Sequence, residues 1–144
     1  MKKTFLLIAL ALGVISVQAQ NLDESKVPAD AKTAFKKSYP SITTVKWEKE
    51  DGNFEAHFKD GAAVETAVYD ATGKFLSLEK VIASTGLPKA ATDYLAKNVS
   101  GKRIQEAAEI KSADGTITYE AEVNEVDYIF DAKGNYLKQE ADED

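Results

Sequence analysis

Two short stretches of the chain carry apolar residues at the spacing of an α-helix, and each begins just after a proline. The first follows Pro28 and is stopped by Pro40, and the second follows Pro88. Proline is favoured in the first turn of a helix because it lacks the N–H that this turn leaves unpaired. Apolar residues recur every three or four positions, with polar residues between them: Ala31, Ala34, Phe35 and Tyr39, then Ala91, Tyr94, Leu95 and Val99. The pattern predicts two short amphipathic helices, each of which needs a sheet beneath it.

After each predicted helix the apolar period changes to two, as in a strand with one buried and one polar face. In the first half Val45 and Trp47 alternate with charged residues and 54–58 reads FEAHF; in the second half 117–123 reads ITYEAEV. Trp47 is in phase with the apolar positions, which predicts core packing rather than stacking on a ligand. Further strands are predicted over 63–69 and 74–81. Turn sequences separate the strands: Asp51-Gly52, Asp60-Gly61, Asp114-Gly115 and the two D-A-x-G segments 70–73 and 131–134.

The same order of elements occurs twice, which indicates an internal repeat over residues 27–81 and 87–140. Related strings open both copies, VPADAKTAFKKSY and LPKAATDYLAKNV, and related strings close them, YDATGKFLSLE and FDAKGNYLKQE. One copy of about 55 residues would bury too little surface to be stable alone, so the two are expected to share a core. We therefore expect residues 20–144 to form a single α+β domain.

The N-terminal segment has the features of a secretory signal peptide. Lys2 and Lys3 precede an apolar run over 5–17, and Val-Gln-Ala provides small residues before Gln20. The run is shorter than the roughly 20 apolar residues that a membrane-spanning helix needs. A lipid anchor at the cleavage point needs a cysteine, and the chain has none. We expect residues 1–19 to be removed and the protein to be periplasmic or secreted, without a membrane anchor.

The charge of the chain argues against nucleic acid as a partner. Without the two leader lysines, 16 basic residues stand against 24 acidic ones, a net charge of −8. The basic residues are scattered among acids and do not form the stripe that a polyanion needs. The acidic end EADED is expected to be a solvated tail. Because cysteine is absent, stability is expected to come from an ordinary core without disulfides.

Residues suited to catalysis or metal binding are few. His57 is the only histidine and there is no cysteine, which removes multi-histidine metal sites and thiol nucleophiles. No serine lies in a G-x-S-x-G elbow. The aspartates of the loops are explained by turn geometry, and D-x-D-x-D-G is absent, so no calcium loop is indicated. We expect no enzymatic activity, no cofactor and no metal.

Strand alternation brings a set of charged residues to the polar face of the predicted sheet. Two carboxylates that flank a bond at a fixed separation can hydrolyse a glycoside. Acids that alternate with lysines are, however, typical of solvated strand surface, which is the interpretation we favour. The residues expected on this face are Lys46, Glu48, Glu55, His57, Glu120 and Glu122.

Three strings together resemble the PepSY-like family of exported bacterial proteins, described as similar to the β-lactamase-inhibitor protein. They are V-P-A-x-x-K-x-A-F-x-x-x-Y-P, V-K-W-E-K-E-D-G-x-F-E-A-x-F and D-A-x-G-K. The match is close over 27–79 and looser over 87–140, where the Y-P and V-K-W-E elements are missing. The resemblance implies a helix and four antiparallel strands from each copy, with both helices on one face of a single curved sheet. It also implies an open second face that grips a protein partner, although no inhibitory residue carries over by position.

Two functions remain open from the sequence. The first is a non-catalytic exported binding module that engages a protein or peptide through the polar sheet face, because packing does not require the six charged residues there. The alternative is an inhibitor or regulator of an exported hydrolase of the peptidase or β-lactamase type, blocking its target with a loop such as Asp60–Val64. This alternative depends on the turn after Asp60, which has more residues than the corresponding turn at 124–125.

Overall fold

A computed structural model of the chain describes residues 22–99 and 101–141. Its helices are α1 (Ala29–Ser38) and α2 (Lys89–Asn98), each preceded by one turn of 3₁₀-helix, Glu24–Lys26 and Ser84–Gly86. The strands are β1 (Val45–Glu50), β2 (Asn53–Asp60), β3 (Ala63–Tyr69), β4 (Phe75–Val81), β5 (Glu106–Ser112), β6 (Ile117–Glu122), β7 (Val126–Asp131) and β8 (Tyr136–Ala141). The predicted signal peptide and the last three residues of the acidic end lie outside the described residues.

All eight strands form one antiparallel sheet in which strand order follows sequence order. Each repeat is a four-stranded meander that follows its helix, β1–β4 after α1 and β5–β8 after α2. The two meanders meet at β4 and β5, which pair from Ser77↔Ser112 to Val81↔Ala108. The α+β tandem repeat predicted from the sequence is therefore confirmed, as a single continuous sheet.

The two helices cover the same face of this sheet, each over its own repeat. In the first core the ring of Phe35 on α1 lies 5.7 Å from the ring of Trp47 and 5.1 Å from that of Phe58. The side chain of Trp47 is 3% exposed, which confirms that it packs in the core. In the second core Ala91 and Leu95 of α2 are buried against residues of β5, β6 and β7. The strand register between β4 and β5 places both cores on one side of the sheet.

The two D-A-x-G turns lie close to the start of a helix. In the first turn Oδ1 of Asp70 accepts hydrogen bonds from the backbone N–H groups of Thr72 and Lys74. Gly73 has φ +78°, and a Cβ placed there would lie 2.5 Å from the carbonyl oxygen of Asp30 in α1. The second turn repeats this arrangement: Gly134 has φ +84°, and its Cβ would lie 2.8 Å from the backbone nitrogen of Ala91. Glycine is required at both positions by backbone conformation and by close packing.

The turn after Asp60 is shorter than the sequence suggested. Asp60 pairs with Ala63, so only Gly61 and Ala62 form the turn, with φ +60° at Gly61. The corresponding turn between β6 and β7 also has two central residues, Asn124 and Glu125. The additional residues of the first repeat extend the strands of the hairpin. The segment proposed as an inhibitory loop is therefore a tight turn followed by a strand.

Candidate functional site

The side of the sheet opposite the helices, called the polar face below, carries the side chains that alternate with the core. The structure places all six of the charged residues selected from the sequence on this face. Lys46 pairs with His57, and Glu48 pairs with Glu55, across β1 and β2. Glu120 and Glu122 are two positions apart on β6 and therefore share a face. Three strands lie between β2 and β6. The six residues therefore form two separate groups.

Solvation is the feature of this face that the sequence predicted wrongly. Glu55 and Glu120 are only 3% and 4% exposed, so both are buried. Glu48, His57 and Glu122 are partly buried, and of the six only Lys46 is fully at the surface. The physical reason lies in the shape of the sheet, which a pattern of alternating residues does not reveal.

Curvature of the sheet brings carboxyl groups from distant strands together. Glu79 of β4 interacts electrostatically with Glu50 on β1 and with Asp127 on β7. Each of these strands is three positions away from β4, which on a flat sheet would be about 14 Å. The polar face is therefore concave, and acidic side chains converge at its centre.

Burial raises the pKa values of the central carboxyl groups. Burial, and then the nearby charges of Glu106 and Asp127, raise the pKa of Glu79 to about 8. Burial together with neighbouring carboxyl groups raises the pKa of Glu55 to about 8 and that of Glu120 to about 9. Glu79 is 2% exposed, and neither of its carboxyl oxygens has a hydrogen-bond partner among the described residues. A buried, unpaired carboxyl group destabilises a fold and is typical of functional sites.

Four acidic residues lie side by side across the second repeat. They are direct cross-strand neighbours on β5, β6, β7 and β8, and we call them the acidic row: Glu106, Glu122, Asp127 and Glu140. Like charges directly opposite one another destabilise a sheet. Lys138 forms an ion pair with Glu140 at one end of the row. The other half of the face is less acidic, because Lys46, His57 and Thr66 stand where the second repeat has carboxyl groups.

His57 is held between two carboxylates and a hydroxyl group. Its Nε2 lies 3.5 Å from Oε2 of Glu48 and 3.5 Å from Oε2 of Glu55. Its Nδ1 is within hydrogen-bond distance, 3.0 Å, of Oγ1 of Thr66 on β3. Burial lowers the pKa of His57, against the opposing effect of the Glu48 charge. The imidazole is therefore oriented by its neighbours and favours the neutral form.

A groove of about 620 Å³ opens beside His57 at the β1–β3 end of the face. Its lining combines basic and apolar groups and includes Lys46, Lys59, Phe58 and Val64. Val64 is an exposed apolar residue. This end of the molecule therefore offers positive charge and apolar surface, in contrast to the acidic row.

Several acidic residues of the face were missed at the level of sequence: Glu79, Glu106, Asp127 and Glu140. The string L-S-L-E over 76–79 alternates like a strand, and it could have assigned Ser77 and Glu79 to the polar face. Nothing comparable could have shown that Glu79 comes near enough to Asp127 for their charges to interact, because this depends on the curvature of the sheet.

The fold and this face define a class of protein: two helix-plus-meander units in tandem that build one curved sheet with a charged concave surface. Residues 14–77 and 52–138 match the family described as "Putative beta-lactamase-inhibitor-like, PepSY-like". The chain belongs to the PepSY-like family, as the sequence strings indicated.

Solved structures of Bacteroides proteins share the fold. A DUF2874 family protein from Bacteroides uniformis is 19% identical, with a TM-score of 0.71 over 78% of this chain and 88% of its own. A protein from Bacteroides eggerthii described as "putative periplasmic" is 17% identical, with a TM-score of 0.71 over 79% of this chain and 88% of its own. A "BLIP-like protein" from Bacteroides fragilis is 21% identical, with a TM-score of 0.61 over 78% and 85%.

No curated protein matches the chain. Among the residues that the structure describes, no helix is long and apolar enough to cross a membrane.

Proposed function

We propose that this protein is a non-catalytic, exported binding module that engages a protein or peptide through its concave polar face. The acidic row is the observation that carries the proposal, because four acidic residues on adjacent strands place like charges opposite one another, which opposes folding. Binding of a ligand would explain why an arrangement that opposes folding is present. The candidate binding residues are Lys46, Glu48, Glu55, His57, Glu120 and Glu122, extended by Glu79, Glu106, Asp127 and Glu140.

The chemistry of the face favours a basic segment as the partner. Lysine and arginine side chains form charge-assisted hydrogen bonds with carboxylates, and a nearby cation favours the ionised form of a buried carboxyl group. Such a side chain at the acidic row would also reach the region of Glu79, whose oxygens lack partners among the described residues. The lysines at the β1–β2 end would orient the bound segment by repelling its positive charges.

The N-terminal segment bears on where the mature protein is located and where it begins. We propose that residues 1–19 direct export and are removed, and that residues 20–144 form one domain in the periplasm or outside the cell. The apolar run after Lys2 and Lys3 supports export. The description of the Bacteroides eggerthii relative as "putative periplasmic" supports the same location.

Labelled peptides of matched length test the partner chemistry. Fluorescence anisotropy should show binding of a lysine- and arginine-rich peptide, and much weaker binding of acidic and uncharged peptides. Replacing Glu106 and Glu122 by glutamine should weaken binding at least about tenfold, a loss of about 1.4 kcal/mol. Glu109→Gln is the matched control, because Glu109 lies on β5 but points to the opposite face. Equal binding of the three peptides, or equal losses in both variants, would contradict the proposal.

A second candidate function is inhibition of an exported hydrolase of the peptidase or β-lactamase type. It is favoured by the family description and by the likeness of the fold to the BLIP-like protein. Because residues 60–64 form a tight turn and the start of a strand, the inhibitory surface would be the concave face. A panel of exported peptidases and β-lactamases, assayed with excess protein, tests this function. Inhibition that is lost in the Glu106→Gln and Glu122→Gln variant would support it, and full activity of every enzyme would count against it.

A further inference from the structure

We propose that Glu48, Glu55 and His57 form a binding site for one divalent transition-metal ion, with Zn²⁺ as the preferred ion. One donor atom from each residue lies within 4.8 Å of the others. The site is distinct from the acidic row, and it does not depend on the proposed binding of a peptide.

The two distances from the imidazole nitrogen to the carboxylates fit a metal ion better than they fit hydrogen bonds. Nε2 of His57 lies 3.5 Å from a carboxylate oxygen of Glu48 and 3.5 Å from one of Glu55. Typical hydrogen bonds between nitrogen and oxygen are about 2.7–3.2 Å long. In a tetrahedral zinc site with bonds of about 2.1 Å, adjacent donor atoms are about 3.4 Å apart. Nε2 is also buried without a hydrogen-bond partner among the described residues, although both carboxylates face it.

Thr66 orients the imidazole in the way that metal-binding histidines are commonly oriented. Oγ1 of Thr66 lies 3.0 Å from Nδ1 of His57, so the Nδ1–H can donate to it while the lone pair of Nε2 points to the carboxylates. Thr66 is itself buried, and it pairs directly with His57 across β2 and β3. The ligand atom is therefore fixed by a rigid neighbour.

The donor set selects the type of ion. Imidazole nitrogen suits zinc and its neighbours in the first transition row, whereas Ca²⁺ and Mg²⁺ prefer sites made of oxygen alone. Side-chain exposures of 24% for His57 and 33% for Glu48 leave one side of the cluster open to solvent. Three protein ligands with an open side would allow water or a ligand atom from a partner to complete a tetrahedron.

The second repeat provides an internal comparison. By the pairing of Trp47 with Ala56 and of Ala107 with Ala121, its positions equivalent to Glu48, Glu55 and His57 are Ala108, Glu120 and Glu122. These positions lack both the imidazole and one carboxylate. Within the described residues the proposed site is therefore present once, and the expected stoichiometry is one ion per chain.

Calorimetric titration of the untagged protein with Zn²⁺, and in parallel with Ca²⁺, tests the site. We expect one Zn²⁺ per chain, with Ca²⁺ bound at least about tenfold more weakly or not at all. His57→Gln and Glu48→Gln should each weaken Zn²⁺ binding more than tenfold. Thr66→Val should weaken it by about 10- to 100-fold, as loss of an orienting neighbour does. Glu122→Gln, at the position equivalent to His57, is the matched control and should bind as tightly as the wild type.

Because the chain has a single histidine, nuclear magnetic resonance gives a second readout. The imidazole ¹⁵N signals should shift on addition of Zn²⁺ and show metal bonded at Nε2, with the proton on Nδ1. Absence of stoichiometric Zn²⁺ binding would overturn the proposal. Binding that survives His57→Gln, or that is lost in Glu122→Gln, would overturn it as well. Glu48 is partly exposed, so Glu48→Gln remains informative if the His57 variant does not fold.

Discussion

Glu79 shows how an ordinary sequence position acquires unusual chemistry in a fold. It alternates with Leu78 in a strand and would be solvated on an isolated hairpin. In the curved sheet it is buried, and its carboxyl oxygens have no hydrogen-bond partner among the described residues. The resulting rise of its pKa is linked to stability, because the folded and unfolded chains then bind different numbers of protons.

The fold should lose stability as the pH rises. The pKa of Glu79 is 4.5 in the reference state and about 8 in the fold, so the folded chain holds the proton more tightly. The stabilising effect of that proton is complete below about pH 4.5 and is lost as the pH rises to about 8. For each carboxyl group with a pKa raised in this way, the free energy of unfolding falls by up to about 1.4 kcal/mol for every pH unit of increase within that range. The other acidic groups that face Glu79 are Glu50, Glu55, Glu106, Glu120 and Asp127.

Urea unfolding of the wild type and of Glu79→Gln at pH 6, 7 and 8 measures this effect. We expect the free energy of unfolding to fall with pH in the wild type, and to fall less steeply in the variant. The exposed Glu24, which lies before α1, provides the control Glu24→Gln. Parallel slopes in the wild type and in Glu79→Gln would show that the carboxyl group is not responsible.

The D-A-x-G turns connect each meander to its own helix. The sequence predicted the turn type and the need for glycine from backbone conformation alone. It did not predict that Gly73 and Gly134 lie against the first turns of α1 and α2, because that contact depends on how each helix is placed. These turns therefore help to position the helices as well as to reverse the chain.

Alanine substitutions separate the two requirements for glycine. In Gly73→Ala and Gly134→Ala the left-handed backbone costs about 1–2 kcal/mol of stability, and the new Cβ also clashes with helix backbone. Gly52 has a similar φ of +83°, but a Cβ placed there would meet no atom within 4 Å. Gly52→Ala should therefore lose only the stability that the left-handed backbone costs. We expect thermal unfolding to show a larger loss of stability for Gly73→Ala and Gly134→Ala than for Gly52→Ala. Equal losses would mean that the helix contact is unimportant.

The elements that the sequence predicted best are those with local physical causes. Prolines at 28 and 88 mark the two helices, and the period-two pattern around Trp47 assigns it to the core, as observed. The turn at Asp114-Gly115 is less regular than predicted: only the glycine has a positive φ, and the residues between Ser112 and Thr116 form a three-residue turn. Burial of Glu55 and Glu120 could not be predicted, because it depends on contacts across several strands.

The pairing of β4 with β5 joins two clusters of buried residues, one in each repeat, whereas the sequence predicted one shared core. Each core contains its own helix and its own buried aromatic residues. The shared sheet is the structural reason to expect that the repeats unfold together. Single domains of this size commonly unfold in one cooperative step.

A core substitution in one repeat should therefore be detected in the other. Phe130 is fully buried in the second core, and Phe130→Ala should lower the free energy of unfolding by about 3–5 kcal/mol. Trp47, the only tryptophan, reports on the first core. We expect its fluorescence transition in urea to shift to lower concentration in the Phe130→Ala variant. An unchanged Trp47 transition, beside an early loss of second-repeat signal, would show that the repeats unfold independently.

Divergence between the two copies makes the charge of the polar face unequal from one end to the other. Glu106, Glu122 and Asp127 of the second repeat lie where the first repeat has Lys46, His57 and Thr66. The field of such an uneven charge distribution extends beyond contact distance and can rotate an approaching charged molecule before collision. At physiological ionic strength it is screened over about 8 Å, so encounters should become slower and less oriented as salt is added. The unequal charge of the two repeats should therefore give a near-symmetric scaffold a preferred direction of approach.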